Sequence, residues 1–511
     1  MALLKDPNMY NYMGPKECRL MLLELDGDGP LYLQIYRAMK LQILAGHLSE
    51  GAKLPASRIL ANQLSVSRNV VMLGYDQLKA EGYVIGHKGG GTRVVDCLPD
   101  ERLDTVDQAR NNARKESAAP KLSAQATISL AYWQGRARLS PQGNTPLSYD
   151  FRYGDIEVDQ QSKKQWRRLT ARLFNNDVHQ YGSPQGETYL REKIAEYVNP
   201  NRGCQCSPEQ IAIVNGSQQA LDIIARLFIS PGDKVIVEEP GYLAAKAVFQ
   251  AAGASVIPMA VDQDGMQVES LSQQRSKARL LYVTPSHQFP TGSILSLSRR
   301  LALLEWAEKA EGFIIEDDYD SEFRFEGRPI AALQGLDKSS RTLYIGTFSK
   351  VLFPALRIGY VILPPDLVEP FIALRWHSDR HTGTHQQRVL AEFIAAGFYE
   401  RHLRRMRKRY ESRRRLLIAS LQASLGSQIE LHGTNAGLHL MVVFKDRSLL
   451  EKETEILSTA WSAGLGIYPA SPLYQLPPER LGLLFGYSGI EDAAIQPGIA
   501  LLKQVIEPFL S

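Results

Sequence analysis

Residues 346–360 read GTFSKVLFPALRIGY, and this stretch brings together the groups needed for one chemical task. Lys350 follows two hydroxyl residues, Thr347 and Ser349, and Arg357 stands seven positions after it. A lysine amine can form an imine with an aldehyde. Hydroxyl groups and an arginine can hold a phosphate. The stretch therefore predicts a site for a phosphorylated aldehyde, although a lysine taken alone is more often simply solvated.

An acidic stretch, IIEDDYDSEF (314–323), supplies groups that such a site still lacks. It places carboxylates at the end of an apolar run that is typical of a buried strand. Pyridoxal phosphate needs a carboxylate at its pyridine nitrogen, so that the ring stays protonated and accepts electrons. Asp317 fits this role, with Tyr319 for the phenolic oxygen, but Asp318 could take it instead. The alternative is a solvated or metal-binding acidic loop, yet the GxxxxGK[ST] loop expected of a magnesium–phosphate site is absent from the sequence.

Two further segments complete the predicted pocket. In VNGSQQALDIIARL (214–227), a strand leads through a Gly-Ser turn into a helix. The backbone N–H groups at this helix start can bind the phosphate, and they belong to Gly216, Ser217 and Gln218. In EEPGYLAA (238–245), Tyr242 lies on a turn after a strand, where its ring could stack on the pyridine.

The N-terminal part shows a different pattern. Residues 51–81 predict two helices separated by SVS (65–67), with Ser57 and Ser67 as N-caps. The apolar positions of the second helix leave Arg68, Asn69 and Tyr75 to be displayed. In a helix-turn-helix the start of the second helix enters the major groove, where arginine can read guanine and asparagine adenine.

A predicted hairpin, EGYVIGHKGGGTRVV (81–95), follows these helices. His87, Lys88 and Arg93 flank its glycine-rich tip. Cations at such a tip suit a wing that lies on a phosphate backbone or in a minor groove. A helical protein-binding module with an incidental hairpin is the alternative for any one of these elements taken alone.

The ordered motifs resemble known families. LPxSR, LxVSR, EGY and GGGT resemble the GntR class of winged helices. The order GSQQ, EEPGY, TPSHQFPTG, EDDY, SK and RIGY resembles fold type I pyridoxal phosphate enzymes of the aspartate aminotransferase class. A chain that combines the two is identified as a member of the MocR/GabR family of transcription regulators.

This resemblance implies roles that the residues alone do not establish. It implies a Schiff base between pyridoxal phosphate and Lys350, operator DNA as a partner, and a head-to-tail homodimer. It assigns DNA contacts to Arg58, Ser67, Arg68, Asn69, His87 and Lys88. One departure is Val70, which offers no hydroxyl to a phosphate where the family usually has threonine.

The predicted organisation is multidomain. We expect a leader (1–29), a winged helix-turn-helix domain (30–97), a linker (98–148) and an aminotransferase-like domain (149–511). Short apolar strands alternate with helices in the last region, which predicts an α/β fold with a mostly parallel sheet. The fold type I resemblance adds a small C-terminal α+β subdomain from about residue 390.

Two positions depart from working aminotransferases. Phe289 stands where they have the asparagine of NPTG, and Leu484 stands where an arginine would clamp the substrate carboxylate. Arg480 is the nearest alternative, and Ala244 replaces an arginine of the GABA-responsive branch. We therefore expect a sensor of an amine, an amino acid or pyridoxal phosphate itself, without net turnover. A functional aminotransferase with a DNA-binding domain, or a residual transaminase half-reaction, is the alternative.

Composition excludes several other classes. The 511 residues are 44% hydrophobic and 22% charged, which is typical of a globular protein. No apolar run approaches the length of a membrane span, and no signal peptide is apparent. Four cysteines are too few for a disulfide scaffold, so we expect a cytoplasmic protein. We also expect no structural metal. The basic stretch RHLRRMRKRYESRRR (401–415) predicts a solvated helix face with dimer contacts, or contact with bent operator DNA.

Overall fold

The computed structural model describes residues 23–87, 90–96, 120–137, 147–174, 180–273, 278–327 and 330–510. The chain divides into two compact units, residues 1–121 and 122–511. None of the helices in these ranges combines the length and the hydropathy that crossing a bilayer requires.

The first unit contains three helices followed by a hairpin, as the sequence predicts. Its elements are α1 (Leu31–Leu44), α2 (Ser57–Gln63), α3 (Arg68–Ala80), β1 (Val84–His87) and β2 (Gly91–Val94). Ile35, Met39 and Ile43 recur every four residues on α1, and all three are buried in the core of this unit. Leu23, within the predicted leader, is buried in the same core.

Two local predictions about this unit are wrong. Ser57 is the first residue of α2, not its N-cap; Ala56 holds that position without a side-chain bond. Tyr75 is buried because its hydroxyl donates to the carbonyl of Pro55 at 2.9 Å, whereas Leu73 on the same helix is exposed. The tertiary contact between α3 and the loop before α2 overrides the assignment of Tyr75 to the displayed face.

The second unit is built on an eight-stranded sheet in the order β4-β11-β10-β9-β8-β5-β6-β7. Strands β10, β9, β8, β5 and β6 run parallel, whereas β11 is antiparallel to both of its neighbours and β7 is antiparallel to β6. The strands are β4 (Ile211–Val214), β5 (Lys234–Glu239), β6 (Ser255–Asp262), β7 (Gly265–Met266), β8 (Leu280–Val283), β9 (Phe313–Asp318), β10 (Thr342–Thr347) and β11 (Gly359–Ile362). The mostly parallel sheet is confirmed.

Helices cover both faces of this sheet. Adjacent residues of β9 show it, because Ile314 packs in one apolar cluster with Leu303 while Ile315 packs in another with Ile224. The helices of this unit are α4 (Ala124–Ala137), α5 (Gln160–Phe174), α6 (Thr188–Arg202), α7 (Ser217–Phe228), α8 (Leu243–Ala251), α9 (Leu297–Ala310), α10 (Leu333–Leu336), α11 (Pro365–Asp379), α12 (Thr384–Ala395), α13 (Phe398–Leu425), α14 (Glu453–Ser462) and α15 (Asp492–Ile506).

A second, smaller sheet follows α13. It is antiparallel in the order β12-β13-β16-β15, and its strands are β12 (Ile429–His432), β13 (His439–Phe444), β15 (Tyr468–Pro469) and β16 (Gly482–Gly486). Strands β3 (Tyr149–Asp150) and β14 (Leu465–Gly466) pair in parallel and form a separate two-stranded sheet. Helix α4 falls inside the segment predicted as a linker, and its residues belong to the second unit.

Candidate functional site

Lys350 follows the carboxyl end of β10 in the second unit. Its Nζ donates a hydrogen bond to the carbonyl of Gly154 at 2.8 Å. Burial lowers the pKa of Lys350, although Asp155 and Asp320 oppose that shift. An amine with a lowered pKa more often has a free electron pair, which is what attack on an aldehyde requires.

Asp317 and Asp318 are adjacent on β9, and their surroundings differ. Oδ2 of Asp317 accepts a hydrogen bond from the Tyr282 hydroxyl at 2.8 Å. Its Oδ1 is buried and has no hydrogen-bond partner among the described residues. Burial raises the pKa of Asp317 to about 7, and the charges of Asp318 and Asp320 act in the same direction. Asp317 thus has one acceptor oxygen in reserve, as does Asp318, whose Oδ1 is likewise buried and unpartnered among the described residues.

Asp318 is instead held by a buried ion pair. Its Oδ2 lies 2.7 Å from Nη2 of Arg202, and the same oxygen accepts from the Tyr344 hydroxyl. Because successive strand residues point to opposite faces, the two carboxylates cannot share one role. The two carboxylates therefore differ in their partners, a difference that the sequence does not show.

The groups expected to hold a phosphate meet at the start of α7. Gly216 is the N-cap of this helix at φ +82°, and a Cβ there would lie 2.8 Å from Nη2 of Arg357. Arg357 in turn donates to the carbonyl of Asn215 at 3.1 Å. The backbone N–H of Ser349 donates to Oγ1 of Thr347 at 3.1 Å. The hydroxyl of Ser349 is buried and unpartnered within the described ranges.

This arrangement can bind an anion. The first turn of a helix presents unpaired N–H groups and a positive dipole end, and α7 begins with Ser217 and Gln218, both half-buried. The guanidinium of Arg357 adds donors beside it. Only glycine at position 216 leaves the approach to the guanidinium open.

An aromatic cluster stands beside these groups. The ring of Phe289 lies 6.0 Å from Tyr242, 6.2 Å from Tyr319 and 5.7 Å from Tyr153, measured between ring centroids. Tyr242 is the N-cap of α8, on the turn that the sequence predicts. Phe289 thus contacts both tyrosines that the sequence analysis assigned to the predicted pocket.

Sequence reasoning missed a buried trio next to Tyr319. Nδ1 of His287 lies 2.9 Å from Oδ2 of Asp320 and 3.0 Å from the Tyr319 hydroxyl. The ring of His439 lies 5.3 Å from that of His287. His287 stands two positions before Phe289, and Asp320 directly follows Tyr319, so both could have been noted as polar neighbours of predicted site residues.

The position of the expected carboxylate clamp is apolar. Leu484 on β16 is fully buried in a cluster that contains Met441, Tyr468 and, at its margin, Phe289. Arg480 precedes β16, and its guanidinium already forms an ion pair with Glu430 of β12 at 3.0 Å. Apolar and aromatic side chains therefore surround the position where an arginine was expected, and the nearby Arg152 donates to the Tyr468 hydroxyl at 3.0 Å.

The winged-helix residues lie on the surface of the first unit. Arg58, Arg68, Asn69 and His87 are exposed. Ser67 caps α3 as predicted, and its hydroxyl accepts from the N–H of Val70 at 3.4 Å. Nε of Arg68 donates to the Ser57 hydroxyl at 3.2 Å, a contact that orients the start of the second helix. Lys88 lies outside the described residues.

The basic stretch 401–415 lies on α13, and much of its charge is paired within the domain. Arg405 pairs with Asp159 at 2.5 Å, Arg409 and Arg413 pair with Glu157, and Arg414 pairs with Glu326. These contacts favour a structural role for those four arginines over a free nucleic-acid surface.

Comparison with known proteins finds one family match in each of the two compact units. Residues 31–94 match the family of bacterial regulatory proteins of the GntR type. Residues 149–464 match aminotransferase class I and II. The chain is 38% identical over 489 residues to the probable rhizopine catabolism regulatory protein MocR of Rhizobium meliloti, which covers 95% of each chain. It belongs to the MocR/GabR family.

Other relatives and solved structures extend the match. An uncharacterized regulator of the helix-turn-helix type from Bacillus subtilis, YdeL, is 36% identical and covers 93% of this chain and 96% of its own. The kynurenine aminotransferase of Pyrococcus horikoshii has a TM-score of 0.64 at 26% identity, covering 80% of this chain and all of that one. This MocR/GabR protein is thus a transcription regulator with an aminotransferase-like domain.

Proposed function

We propose that the aminotransferase-like domain binds pyridoxal phosphate and that Lys350 attaches it covalently. When bound, this cofactor supplies an aldehyde that exchanges between amines and a ring that accepts electrons. In this proposal Asp317 faces the ring nitrogen, Tyr319 the phenolic oxygen and Tyr242 the ring. The phosphate is held at the start of α7 by Gly216, Ser217 and Gln218, and by Thr347, Ser349 and Arg357.

Asp317 carries this proposal, because its buried Oδ1 is unpartnered and, unlike Asp318 with Arg202, it forms no ion pair with a described residue. A buried carboxylate oxygen without a donor is costly, and a protonated pyridine nitrogen supplies the missing donor. The Ser349 hydroxyl, also buried and unpartnered among the described residues, needs a partner of the kind that a phosphate offers. Lys350, Asp317 and the Gly216–Arg357 contact thus support one ligand with an aldehyde, a ring nitrogen and a phosphate.

We further propose that the winged helix binds operator DNA through Arg58, Ser67, Arg68, Asn69, His87 and Lys88. The exposure of the described members of this set supports the assignment. Arginine and asparagine at the start of a recognition helix can contact base edges, and the wing residues can contact phosphates. A cytoplasmic homodimer is the assembly that we propose for this regulator.

The proposed signal is an amine or amino acid that competes with Lys350 for the cofactor, or pyridoxal phosphate itself. Such a ligand shifts the regulator only as far as its affinity differs between two conformations. The side chains that pack with Leu484 are uncharged, which disfavours recognition of an α-carboxylate at this position. For the same reason sustained transamination is the less favoured use of the site.

Covalent attachment can be tested directly. The purified chain is incubated with pyridoxal phosphate, reduced with borohydride, digested and examined by mass spectrometry. We expect the modification on Lys350, its loss in Lys350→Arg, and its retention in Lys309→Arg, which alters a surface lysine paired with Glu305. Modification spread over surface lysines, with Lys350 unmodified, would contradict the proposal.

Regulation and turnover are separated by a second experiment. Binding to DNA flanking the chain's own gene is measured with and without pyridoxal phosphate and a panel of amines and amino acids. Oxo-acid release is followed in the same samples. A ligand that changes DNA affinity without repeated turnover supports the sensor; many turnovers per chain support the aminotransferase alternative.

A further inference from the structure

Two buried residues, His287 and Asp320, stand behind Tyr319 and have no role in the proposal above. Nδ1 of His287 lies 2.9 Å from Oδ2 of Asp320 and 3.0 Å from the Tyr319 hydroxyl. Both side chains are 1% exposed. A buried acid–histidine contact costs free energy unless its hydrogen bonds are well arranged. The positions of these hydrogens therefore decide which group the Tyr319 hydroxyl can donate to.

The hydrogens can be assigned from the number of donors. Nδ1 of a histidine carries at most one hydrogen, and an ionised carboxylate only accepts. Although burial raises the pKa of Asp320, the charge of His287 and its hydrogen bond oppose that rise. When Asp320 is ionised, the Nδ1 hydrogen points to Asp320, and the Tyr319 hydroxyl cannot donate its own hydrogen to Nδ1.

The Tyr319 hydroxyl nevertheless keeps its hydrogen. Burial raises the pKa of Tyr319 well above 10, and the charges of Asp320, Asp317 and Glu238 raise it further. With Nδ1 occupied, this hydrogen must point away from His287. In the proposed function, the acceptor for this hydrogen is the phenolic oxygen of bound pyridoxal phosphate.

A metal ion is the alternative for this cluster, since His287, Asp320 and His439 have suitable ligand atoms. The surroundings of the histidines oppose it. A Cβ at Gly292 would lie 2.9 Å from Nε2 of His287, and one at Gly437 would lie 2.6 Å from it, so two glycines crowd this nitrogen, which has no hydrogen-bond partner among the described residues. Nε2 of His439 already lies 3.1 Å from the carbonyl oxygen of Pro290.

We propose that Asp320 and His287 are positioning residues that direct the Tyr319 hydroxyl to the phenolic oxygen of bound pyridoxal phosphate. This inference rests on the proposed function. A hydroxyl that donates to the phenolic oxygen withdraws charge from it, and so weakens its hold on the proton of the Lys350 nitrogen. The pair thus lowers the pH at which that proton leaves.

Other titratable groups face the same region. They are Asp317, Asp318, Glu238 and Lys350 among the charged groups, together with Tyr487 and with His439, whose pKa burial lowers to about 3. Because His439 stays neutral near pH 7, it adds no competing charge change in that range.

The test is a pH titration of the visible absorbance of the cofactor-loaded chain. We expect His287→Leu to raise the pH midpoint by about 1 unit, which corresponds to weakening one charge-assisted hydrogen bond. Tyr319→Phe should raise it by at least as much. His432→Leu, a histidine on β12 paired with Glu430, should leave it unchanged.

A double-mutant cycle separates positioning from a direct charge effect. In the Tyr319→Phe background, His287→Leu should produce no further shift. An equal shift in both backgrounds, or no shift in either, would overturn the proposal. His287→Asn offers a rescue, because its amide can place an N–H close to the position of Nδ1, so its midpoint should lie nearer the wild type.

Folding and cofactor loading are checked independently of the midpoint. Borohydride labelling of Lys350 and the far-ultraviolet spectrum confirm that each variant is intact. If His287→Leu does not fold, Asp320→Ala takes its place in the same cycle. A wild-type chain that shows no cofactor absorbance rejects the proposed function, and this inference with it; a loaded wild type with unshifted variants rejects this inference alone.

Discussion

The Tyr282 hydroxyl donates to one oxygen of Asp317 at 2.8 Å and leaves the other oxygen buried and unpartnered in the described structure. Asp317→Asn should therefore weaken binding of pyridoxal phosphate, because an amide cannot hold the ring nitrogen in its charged form. Loss of a charge-assisted bond corresponds to about a 10- to 100-fold weaker affinity. Titration of the apo-chain with the cofactor, followed by absorbance, measures it. Equal affinities in Asp317→Asn and wild type would remove Asp317 from the site.

Asp318→Asn should act on stability. It leaves the buried guanidinium of Arg202 without its carboxylate, and breaking a buried pair in this way costs about 3–5 kcal/mol. Thermal unfolding without cofactor should show a clearly lower melting temperature for Asp318→Asn and a much smaller decrease for Asp317→Asn. A reversed order of the two variants would contradict the assignment of the two carboxylates.

Gly216→Ala should disrupt the phosphate cradle. A Cβ at this position meets Arg357 at 2.8 Å and must also adopt a φ of +82°. Gly232 provides a matched control, since its φ is +93° but a Cβ there would meet no described atom within 4 Å. Both alanine variants should lose about 1–2 kcal/mol of stability from the backbone alone. Only Gly216→Ala should also bind cofactor weakly, and equal binding by both would count against the cradle.

The pH dependence of stability should reveal the raised pKa of Asp317. Burial moves it from 3.8 to about 7, so between these values the folded apo-domain holds a proton that the unfolded chain has released. The contribution of Asp317 is therefore full below pH 3.8 and is lost as the pH rises to about 7. In this window, the free energy of unfolding of the wild type should fall by about 1 kcal/mol more per pH unit than that of Asp317→Asn.

This difference can be read from fluorescence. All five tryptophans lie after residue 121, so their emission reports unfolding of the second unit alone. Urea unfolding of the apo-chain at pH 5 and pH 7 compares the two proteins. Parallel stability profiles would show that Asp317 titrates near its ordinary pKa.

Arg68→Ala should weaken operator binding by about 1–3 kcal/mol, because Arg68 starts the recognition helix and is exposed. Arg37→Ala is the matched control within the same unit, since Arg37 lies on α1 and forms an ion pair with Asp26. Electrophoretic mobility shifts at several salt concentrations measure both variants. Equal losses in the two would indicate a general charge effect.

Much of this fold could be read from local patterns. The strand IAIV (211–214), the strand KVIVEE (234–239) and the helix 217–228 were predicted with the boundaries that the structure has. Apolar runs bounded by turn residues are strong local signals, and the parallel sheet follows from their alternation with helices. Tyr75 was misplaced because periodicity cannot foresee a hydroxyl that finds the Pro55 carbonyl.

The amino-acid sequence by itself determined which chemical groups are present and in what order: a lysine after small hydroxyls, acids at a strand end and a glycine turn before a helix. Only the tertiary structure decided which partners they meet. It separated Asp317 from Asp318 through Tyr282 and Arg202, and it placed His287 beside Tyr319 from a segment some thirty residues away. Such choices depend on which partners the packed sheet brings within hydrogen-bond distance, and residue spacing along the chain does not contain that information.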